Sequence, residues 1–338
     1  MMAIKALILD IDGTLIDKRS HRLPQSAVAS IKHLRKSDIK IILATGRTHY
    51  SIDKSLLTSI KPDAVVSING AVCLNKDGDI ISDVKIDQRF VEHFLNWVKS
   101  ENLEHAFHMD HKTVVYRGEK LKKKLIKLIG HSGSATDSVD QKEHMTHPVY
   151  NMIVLDAPLD KVRDFVSKHP VLRYDEFDPG SYDIFNQSIN KSVGCDAALR
   201  MLGIAWSEVM ALGDNTNDIE MLKKAKVGYV VKGGHPKIYT LGLAVTDEPL
   251  KDGLAKALGK EGLIPMEKSL MLLNSDEVLV RMNGSRLKIS SLISIAFAIA
   301  SLNEWIAEGF NANFGLYLTL SLIMAGMAFL AYRKKKTT

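Results

Sequence analysis

The stretch ALILDIDGT, residues 6–14, places two aspartates directly after a short apolar run. Four consecutive aliphatic side chains are typical of a buried strand in a parallel sheet. Asp10 and Asp12 lie two residues apart at the end of this strand, which suits phosphoryl transfer, because one carboxylate can attack phosphorus while the other handles the leaving-group proton. Gly13 permits the sharp turn that the chain needs on leaving the strand. The stretch therefore predicts a central strand with an acidic site at its carboxyl end.

Strand-like and helix-like segments alternate along much of the chain, as they do in βα units. In the first part we expect strands at 6–9, 39–44 and 64–68 and helices at 24–37 and 48–59. In the later part we expect helices at 192–202 and 218–224 and strands at 209–212, 227–231 and 243–245. Ligands of such sheets bind beyond the carboxyl ends of the strands. The motifs TGR (45–47) and GDNTND (213–218) follow such ends, so we expect them to converge on Asp10.

Residues 84–185 interrupt this alternation with a mixture of helices and strands. Helices are expected at 89–100, 120–129 and 159–168, and strands at 105–107, 113–116, 149–155, 171–174 and 181–185. The stretch 132–143 is rich in Ser, Gly and Asp, which is typical of a loop. The interruption predicts an inserted domain that contains both helices and strands.

Four motifs in one order resemble those of the haloacid dehalogenase superfamily of phosphohydrolases: DIDGT (10–14), TGR (45–47), Lys191 and GDNTND (213–218). The triplet NGA (69–71), with a long insert before Lys191, is similar to the Cof-type branch of that superfamily. The resemblance covers roughly residues 1–262. It implies an α/β fold with a Rossmann-like parallel sheet core, formed by 1–83 and 186–262, and an inserted α+β cap domain, 84–185.

The resemblance implies that Asp10 is the nucleophile and forms an aspartyl-phosphate, while Asp12 protonates the leaving oxygen and later activates water. It also implies one Mg²⁺ ion, a hard cation suited to carboxylate and phosphate oxygens. The implied metal residues are Asp10, Asp12 through its backbone carbonyl, Asp214, and Asp218 in support of the metal shell.

Further residues are implied to contact the phosphate or the substrate. Thr45 would donate its hydroxyl to the phosphate, and Lys191 would supply a compact positive charge. Asn217 would orient Lys191 or the phosphate. The full substrate-binding set implied in this way is Thr45, Gly46, Arg47, Asn69, Lys191 and Asn217.

Several of these residues also have purely structural explanations. The run 214–218 could be a turn followed by a helix N-cap, because Asn and Asp favour both. Thr45 could cap the following helix, Arg47 could form a surface salt bridge, and Asn69 with the next glycine could be a simple turn. In the cap, His108 and His111 are either substrate contacts or ordinary polar residues.

Composition is that of a folded protein, with 338 residues, 46% of them hydrophobic and 25% charged. The net charge of +6 does not indicate nucleic-acid binding, because the basic residues gather in the tail 333–336 and on one face of the helix predicted near 119–129. That face is either solvated or attracted to an anionic membrane or substrate. Cys73 and Cys195 provide no disulfide framework, so a reducing compartment suffices. The apolar run at the start is too short for a signal-peptide core.

Two apolar stretches near the carboxyl terminus, 287–306 and 314–332, each have about the length that crosses a bilayer. They predict a two-helix transmembrane hairpin, 287–332, after a tether, 263–286, and before a basic tail, 333–338. The alternative is a pair of buried core helices. Basic residues flank the hairpin on both outer sides and are absent from its connecting loop, so the positive-inside rule predicts a cytoplasmic catalytic part.

These observations together favour a Mg²⁺-dependent phosphatase that acts on a small phosphorylated metabolite and is anchored in the cell membrane by two spans. A hexose phosphomutase is a second hypothesis, because a branch with a similar cap performs that chemistry. A third is a non-enzymatic membrane-bound sensor of phosphorylated ligands.

Overall fold

The computed structural model describes residues 3–129 and 135–265. These residues form two β-sheets with helices packed against them. The strands are Ala6–Leu9 (β1), Lys40–Ala44 (β2), Ala64–Ser67 (β3), Val72–Asn75 (β4), Ile80–Asp83 (β5), Glu104–Met109 (β6), Thr113–Arg117 (β7), Ala135–Asp137 (β8), Val149–Leu155 (β9), Leu172–Asp178 (β10), Ser181–Asn186 (β11), Val209–Gly213 (β12), Val227–Val231 (β13) and Ala244–Thr246 (β14). The α-helices are Gln25–Lys36 (α1), Lys54–Ile60 (α2), Gln88–Ser100 (α3), Glu119–Ile129 (α4), Leu159–Ser167 (α5), Lys191–Leu202 (α6), Ile219–Lys224 (α7), Pro236–Tyr239 (α8) and Gly253–Lys260 (α9).

The first sheet has the strand order β14-β13-β12-β1-β2-β3-β4-β5. Strands β14 to β3 are parallel, as the alternation of strands and helices predicts, and β1 lies between β12 and β2. Strands β4 and β5, neither of which the sequence predicted, add an antiparallel hairpin at one edge of the predicted parallel sheet. The sequence did not signal β5, because its side chains at Ile80 and Ile81 are exposed and lack the alternation of a half-buried strand.

Helices cover the first sheet, and this burial explains the continuous apolar run of β1. All four β1 side chains are fully buried. Ile8 belongs to a cluster that also contains Leu199 of α6 and Leu222 of α7. Strands buried on both faces need apolar residues at every position. The run that opens the sequence therefore fixes β1 in the middle of the sheet and brings Asp10 to its carboxyl end.

The second sheet has the strand order β10-β11-β9-β6-β7-β8 and is antiparallel except for the pairing of β7 with β8. Its two faces carry different clusters. One face packs with α3 and α5 through residues such as Phe94, Phe107 and Phe165. The other face packs with α4 through Leu121, Leu125 and Ile153 among others.

Two local predictions are wrong. The stretch 132–143 was expected to be a loop, but β8 pairs with β7 and buries Ala135 in the cluster under α4. The helix expected at 48–59 is interrupted, with a 3-10 turn at His49–Ser51 followed by α2. Asp53 explains the break, because its side chain accepts a hydrogen bond from the Ser55 amide (2.6 Å) and starts a new helix there.

The predicted hairpin, the basic tail and most of the predicted tether lie outside the described residues. Within residues 3–129 and 135–265, none of the helices combines the length and hydrophobicity that a bilayer crossing requires.

Candidate active site

Asp10 and Lys191 form a buried ion pair at the carboxyl end of β1. Lys191 is the first residue of α6, whose N-terminus is capped by the Asn190 side chain. Its ammonium group donates hydrogen bonds to Oδ1 of Asp10 (2.5 Å) and to Oδ1 of Asp218 (2.7 Å). A cation at the positive end of a helix is unfavourable by itself, so these two carboxylates offset both that repulsion and the cost of burial.

The loop after β12 brings Asp218 to the same ion pair. Its Oδ2 accepts hydrogen bonds from the backbone amides of Asp214 and Asn215, both at 2.9 Å. Since its Oδ1 is bonded by Lys191, both carboxylate oxygens already have partners. Asp218 therefore holds both Lys191 and the Asp214 loop in place beside the predicted metal residues.

Asp214 is buried beside the turn that follows Asp12. Its Oδ1 accepts a hydrogen bond from the Thr14 hydroxyl (3.2 Å), and its Oδ2 accepts one from the Lys18 ammonium group (2.5 Å). A Cβ atom on Gly13 would lie 2.7 Å from Oδ2 of Asp214, and φ of Gly13 is +94°. Glycine is therefore required here both for the turn and for the approach of this carboxylate. Sequence reasoning did not assign roles to Thr14 or Lys18.

The residues present fit a hard divalent cation. Carboxylate oxygens of Asp10, Asp214 and Asp218 lie within 4.8 Å of one another. Only two ammonium groups, those of Lys18 and Lys191, contact these three carboxylates within the described part of the chain, so the cluster carries one excess negative charge. Oxygen donors with excess negative charge are what Mg²⁺ prefers. Burial raises the pKa of Asp10 well above its usual value, although Lys191 acts in the opposite direction. A cation at this position would favour the ionised carboxylate.

Lys191 remains a cation in this environment. Burial alone would lower its pKa, but the Asp10 and Asp218 carboxylates outweigh that effect, and the pKa of Lys191 is raised. The group is therefore a fixed positive charge that can attract a phosphate.

Arg47 and Asp12 form a bidentate ion pair at the edge of the site. Arg47 donates from Nε to Oδ2 of Asp12 (2.7 Å) and from Nη2 to Oδ1 (2.6 Å). The pair is partly buried. Such a fork fixes the orientation of a carboxylate as well as its charge. Arg47 thus holds the predicted acid-base residue in a fixed orientation and also lines the cavity described below.

Thr45, Asn69 and Asn217 surround the same space from three loops. The Thr45 hydroxyl oxygen accepts a hydrogen bond from the Arg47 amide (3.1 Å). Asn217 Nδ2 donates to Oδ1 of Asn69 (2.8 Å), so Asn217 orients Asn69, while Lys191 is oriented by Asp10 and Asp218. Asn69 has φ of +52°, a left-handed conformation that is uncommon for a residue with a side chain. Gly46 is close to it, because a Cβ atom there would lie 3.1 Å from Oδ1 of Asn69.

A cavity of about 600 Å³ lies over these groups, and both sheets contribute to its walls. The core lining is Asp10, Asp12, Lys18, Thr45, Gly46, Arg47, Thr48, Ser51, Asn69, Asn215 and Asn217. The second sheet and α4 contribute His108, Leu125, Ile153, Phe177 and Asp183. His111 does not line this cavity; it lies in a partly exposed cluster with Asp110 and His147. A larger depression of about 1010 Å³ next to α1 and α2 includes Arg47 but none of the four motif aspartates, so it is separate from this chemistry.

The comparison with protein families agrees with this geometry. The family model for haloacid dehalogenase-like hydrolases matches residues 7–258. The chain belongs to this family. The resemblance that the four motifs imply is thereby confirmed, and this haloacid dehalogenase-like protein is a phosphatase of the superfamily.

Individual relatives of this haloacid dehalogenase-like phosphatase are distant. A putative bifunctional phosphatase/peptidyl-prolyl cis-trans isomerase from Streptococcus pyogenes is 24% identical over 272 residues, which cover 78% of this chain and 55% of that protein. The chain thus spans about half of that relative's length. A 5-amino-6-(5-phospho-D-ribitylamino)uracil phosphatase from Bacillus subtilis is 22% identical over 260 residues, 75% of this chain and 94% of the relative. A solved subclass IIB sugar phosphatase of the superfamily superimposes with a TM-score of 0.68 and 26% identity, covering 77% of this chain and all of the other.

Proposed function

We propose that the protein is a Mg²⁺-dependent phosphatase that releases phosphate from a small phosphomonoester, a sugar phosphate or a similar metabolite, through an aspartyl-phosphate on Asp10. The observation that carries this proposal is the position of Asp10, which lines the cavity, accepts a hydrogen bond from Lys191 and has a carboxylate oxygen within 4.8 Å of one of Asp214. The substrate class is supported by a sugar phosphatase and a ribitylaminouracil phosphatase among the similar proteins.

The residues of the site can be assigned to two steps. In the first, an oxygen of Asp10 attacks phosphorus, the bond to the leaving oxygen breaks, and Asp12 gives that oxygen a proton. In the second, Asp12 takes a proton from water, the water oxygen attacks phosphorus, and phosphate leaves Asp10. Lys191 attracts the phosphate throughout, and the Thr45 hydroxyl is placed to donate to it.

Asp10, Asp214 and the backbone carbonyl of Asp12 would hold the Mg²⁺ ion, whose chemical contribution is to neutralise charge on the transferring phosphoryl group. Thr14 and Lys18 hold the Asp214 carboxylate in place. Asp218 holds the loop from which Asp214 projects.

The test is release of inorganic phosphate by the full-length protein from a panel of sugar phosphates, with Mg²⁺ and with EDTA. Asp10→Asn should abolish release because it removes the nucleophile and conserves size. Asp160→Asn, an exposed change on α5, should leave activity intact. Undiminished release by Asp10→Asn, metal-independent turnover, or rearrangement of the substrate without release of phosphate would each overturn the proposal.

We further propose that the catalytic part, with core segments 1–83 and 186–262 and the cap 84–185, is attached to the cell membrane and faces the cytoplasm. The support is the sequence of the two apolar stretches 287–306 and 314–332. Arg286 and Lys288 accompany the start of the first stretch, and Arg333 to Lys336 follow the second. Cationic residues on the outer flanks favour retention of both flanks in the cytoplasm.

A further inference from the structure

One face of the second sheet contributes two polar side chains, those of His108 and Asp183, to the cavity that contains Asp10. His108 of β6 lies opposite Asn151 of β9, and Ile153 of β9 lies opposite Asp183 of β11. Their neighbours in the strands, such as Phe107 and Ile184, belong to the cluster on the α3 and α5 side. Because side chains alternate along a strand, His108, Ile153 and Asp183 share the other face. All three line the cavity that contains Asp10.

Asp183 has a half-buried carboxyl group without a cationic partner among the described residues. Its Oδ1 accepts a hydrogen bond from Asn151 Nδ2 (2.8 Å). Burial raises its pKa to about 7; the Asn151 hydrogen bond lowers it, and Asp175, opposite on β10, raises it. An unpaired carboxyl group is costly to bury unless a partner satisfies it. A hydroxyl group of a molecule in the cavity would supply that partner.

His108 provides a second, uncharged polar group on this wall. Its Nδ1 is hydrogen-bonded to the Thr113 hydroxyl (2.8 Å), which in turn is bonded to the hydroxyl of Tyr50 (3.2 Å). Burial lowers the pKa of His108 to about 4, so the ring is neutral near pH 7. The hydrogen bond through Nδ1 orients the ring and leaves Nε2 for a molecule in the cavity.

The charges of the cavity wall discriminate between leaving groups. The residues contributed by the second sheet and α4 include no lysine or arginine within the described part of the chain. The cavity cations Lys18 and Arg47, from the core, are paired with Asp214 and Asp12. A leaving group that carries its own carboxylate or second phosphate would therefore find no cation among the described lining residues of the second sheet and α4. Above the pKa of Asp183, about 7, it would also be repelled by the ionised carboxylate.

We propose that Asp183 and His108 form the subsite for the leaving group, and that this subsite selects an uncharged, hydroxyl-bearing group such as a sugar or polyol over an anionic one. The apolar side chains of Ile153, Leu125 and Phe177 would contact its carbon skeleton. The inference rests on the proposed phosphatase function and adds the rule by which that site chooses its substrate.

The experiment uses the full-length protein at a pH above the pKa of Asp183, about 7, where that carboxyl group is ionised. It compares kcat/KM for a pentitol or hexose phosphate with that for phosphogluconate, whose leaving group has the length of a hexose and bears a carboxylate. The wild type should prefer the polyol ester. Asp183→Asn should reduce the ratio of the two values by about tenfold or more, because the hydrogen bond that the substrate hydroxyl donates to the ionised carboxylate and the repulsion of the anionic ester are lost together. Asp164→Asn, on α5 beyond the other face of the sheet, removes the same charge and should leave the ratio unchanged.

Turnover of a small acyl phosphate, whose leaving group is too short to reach the second sheet, reports the integrity of the Asp10 centre in each variant. Retained turnover with an unchanged substrate ratio in Asp183→Asn would refute the subsite, as would a wild-type preference for phosphogluconate. If Asp183→Asn does not fold, His108→Gln provides the same comparison, with a selective loss for the polyol ester expected. Absence of phosphate release from every ester by the folded wild type would instead refute the phosphatase function.

Discussion

Arg47 donates hydrogen bonds to both carboxylate oxygens of Asp12. A single side chain therefore fixes the orientation of the group that is proposed to protonate the leaving oxygen. We predict that Arg47→Ala lowers kcat by about 100-fold for an alkyl phosphate, because general acid catalysis contributes factors of that order. The loss should be much smaller for nitrophenyl phosphate, whose leaving group needs little protonation. Steady-state kinetics on both esters measure the difference.

The control for this prediction is Arg35→Ala. Arg35 is also paired with an aspartate, Asp63, but that pair lies away from Asp10 and Asp12. It should not change kcat for either ester. Equal losses for the two esters in Arg47→Ala would contradict a role in positioning the acid and would indicate a contact with the phosphate instead.

Asp183 and His108, the two titratable residues that the second sheet contributes to the cavity, should give opposite pH dependences of the free energy of unfolding. Asp183 has its pKa raised from 3.8 to about 7, so the folded state binds its proton more tightly than the unfolded state, and stability falls as pH rises through that window. His108 has its pKa lowered from 6.5 to about 4, so stability falls as pH drops through that window. The effect amounts to at most about 4 kcal/mol for Asp183 and at most about 3 kcal/mol for His108.

We therefore predict that Asp183→Asn gains stability relative to the wild type as pH rises from about 4 to about 7, because asparagine does not titrate. His108→Gln should gain stability relative to the wild type as pH falls from about 6.5 to about 4. Urea unfolding at several pH values measures both differences. Curves that run parallel to the wild type would show that these two side chains are solvated in the folded protein.

Functional residues could be predicted from the sequence where a motif follows a recognisable strand. Asp10, Thr45 and Asp214 were expected to converge because each follows a strand of a parallel sheet, and the structure brings them together. Lys191 came from the family resemblance, and it contacts Asp10 directly. Lys18 and Asp183 gave no such signal. An isolated lysine in a loop, and an aspartate that alternates with apolar residues in a strand, look like ordinary surface residues until the tertiary structure places them beside the site.

At the level of elements, the approach of α6 to the turn after β3 depends on Gly70. Its φ is +102°, and a Cβ atom would lie 2.1 Å from the backbone oxygen of Asn190, the residue that caps α6. We predict that Gly70→Ala lowers the free energy of unfolding by at least about 2 kcal/mol, because backbone strain and a steric clash add together. It should also reduce activity, since Lys191 follows Asn190 directly.

Gly78→Ala is the matched control for this change. Gly78 also has a positive φ, +91°, but no atom lies within 4 Å of the added Cβ position. It should cost only the conformational penalty, about 1 kcal/mol, and leave activity unchanged. Denaturant unfolding of both variants separates the clash from the conformational term. Equal destabilisation would show that α6 can move away from the turn without cost.

Element prediction was most successful for the buried strands. The bounds of β1, β9 and β13 agree with the expected ones, because an apolar run fixes both the type and the ends of such a strand. Strands β5 and β8 were missed because each is short and depends on backbone pairing with a neighbour rather than on its own side chains. A local sequence pattern contains little information about such pairing.

On the scale of the whole protein, the proposed membrane anchor makes a topology prediction. A cysteine introduced by Asn311→Cys, in the loop between the two apolar stretches, should react with an impermeant thiol reagent added outside intact cells. A cysteine introduced by Thr337→Cys should react only after the cells are opened. The native Cys73 and Cys195 are buried and should contribute little background. The reverse labelling pattern would place the phosphatase outside the cytoplasm.

The pairing of β1 with β12 also has a consequence for biosynthesis. Ala6 pairs with Val209, so one edge of β1 has no partner until a strand about 200 residues further along the chain has been translated. At typical synthesis rates this interval lasts about 10–40 s. An apolar strand with an open edge is prone to wrong pairing during that time. The strands of the second sheet, in contrast, are contiguous in the chain, so the inserted domain can fold on the ribosome before the domain that surrounds it.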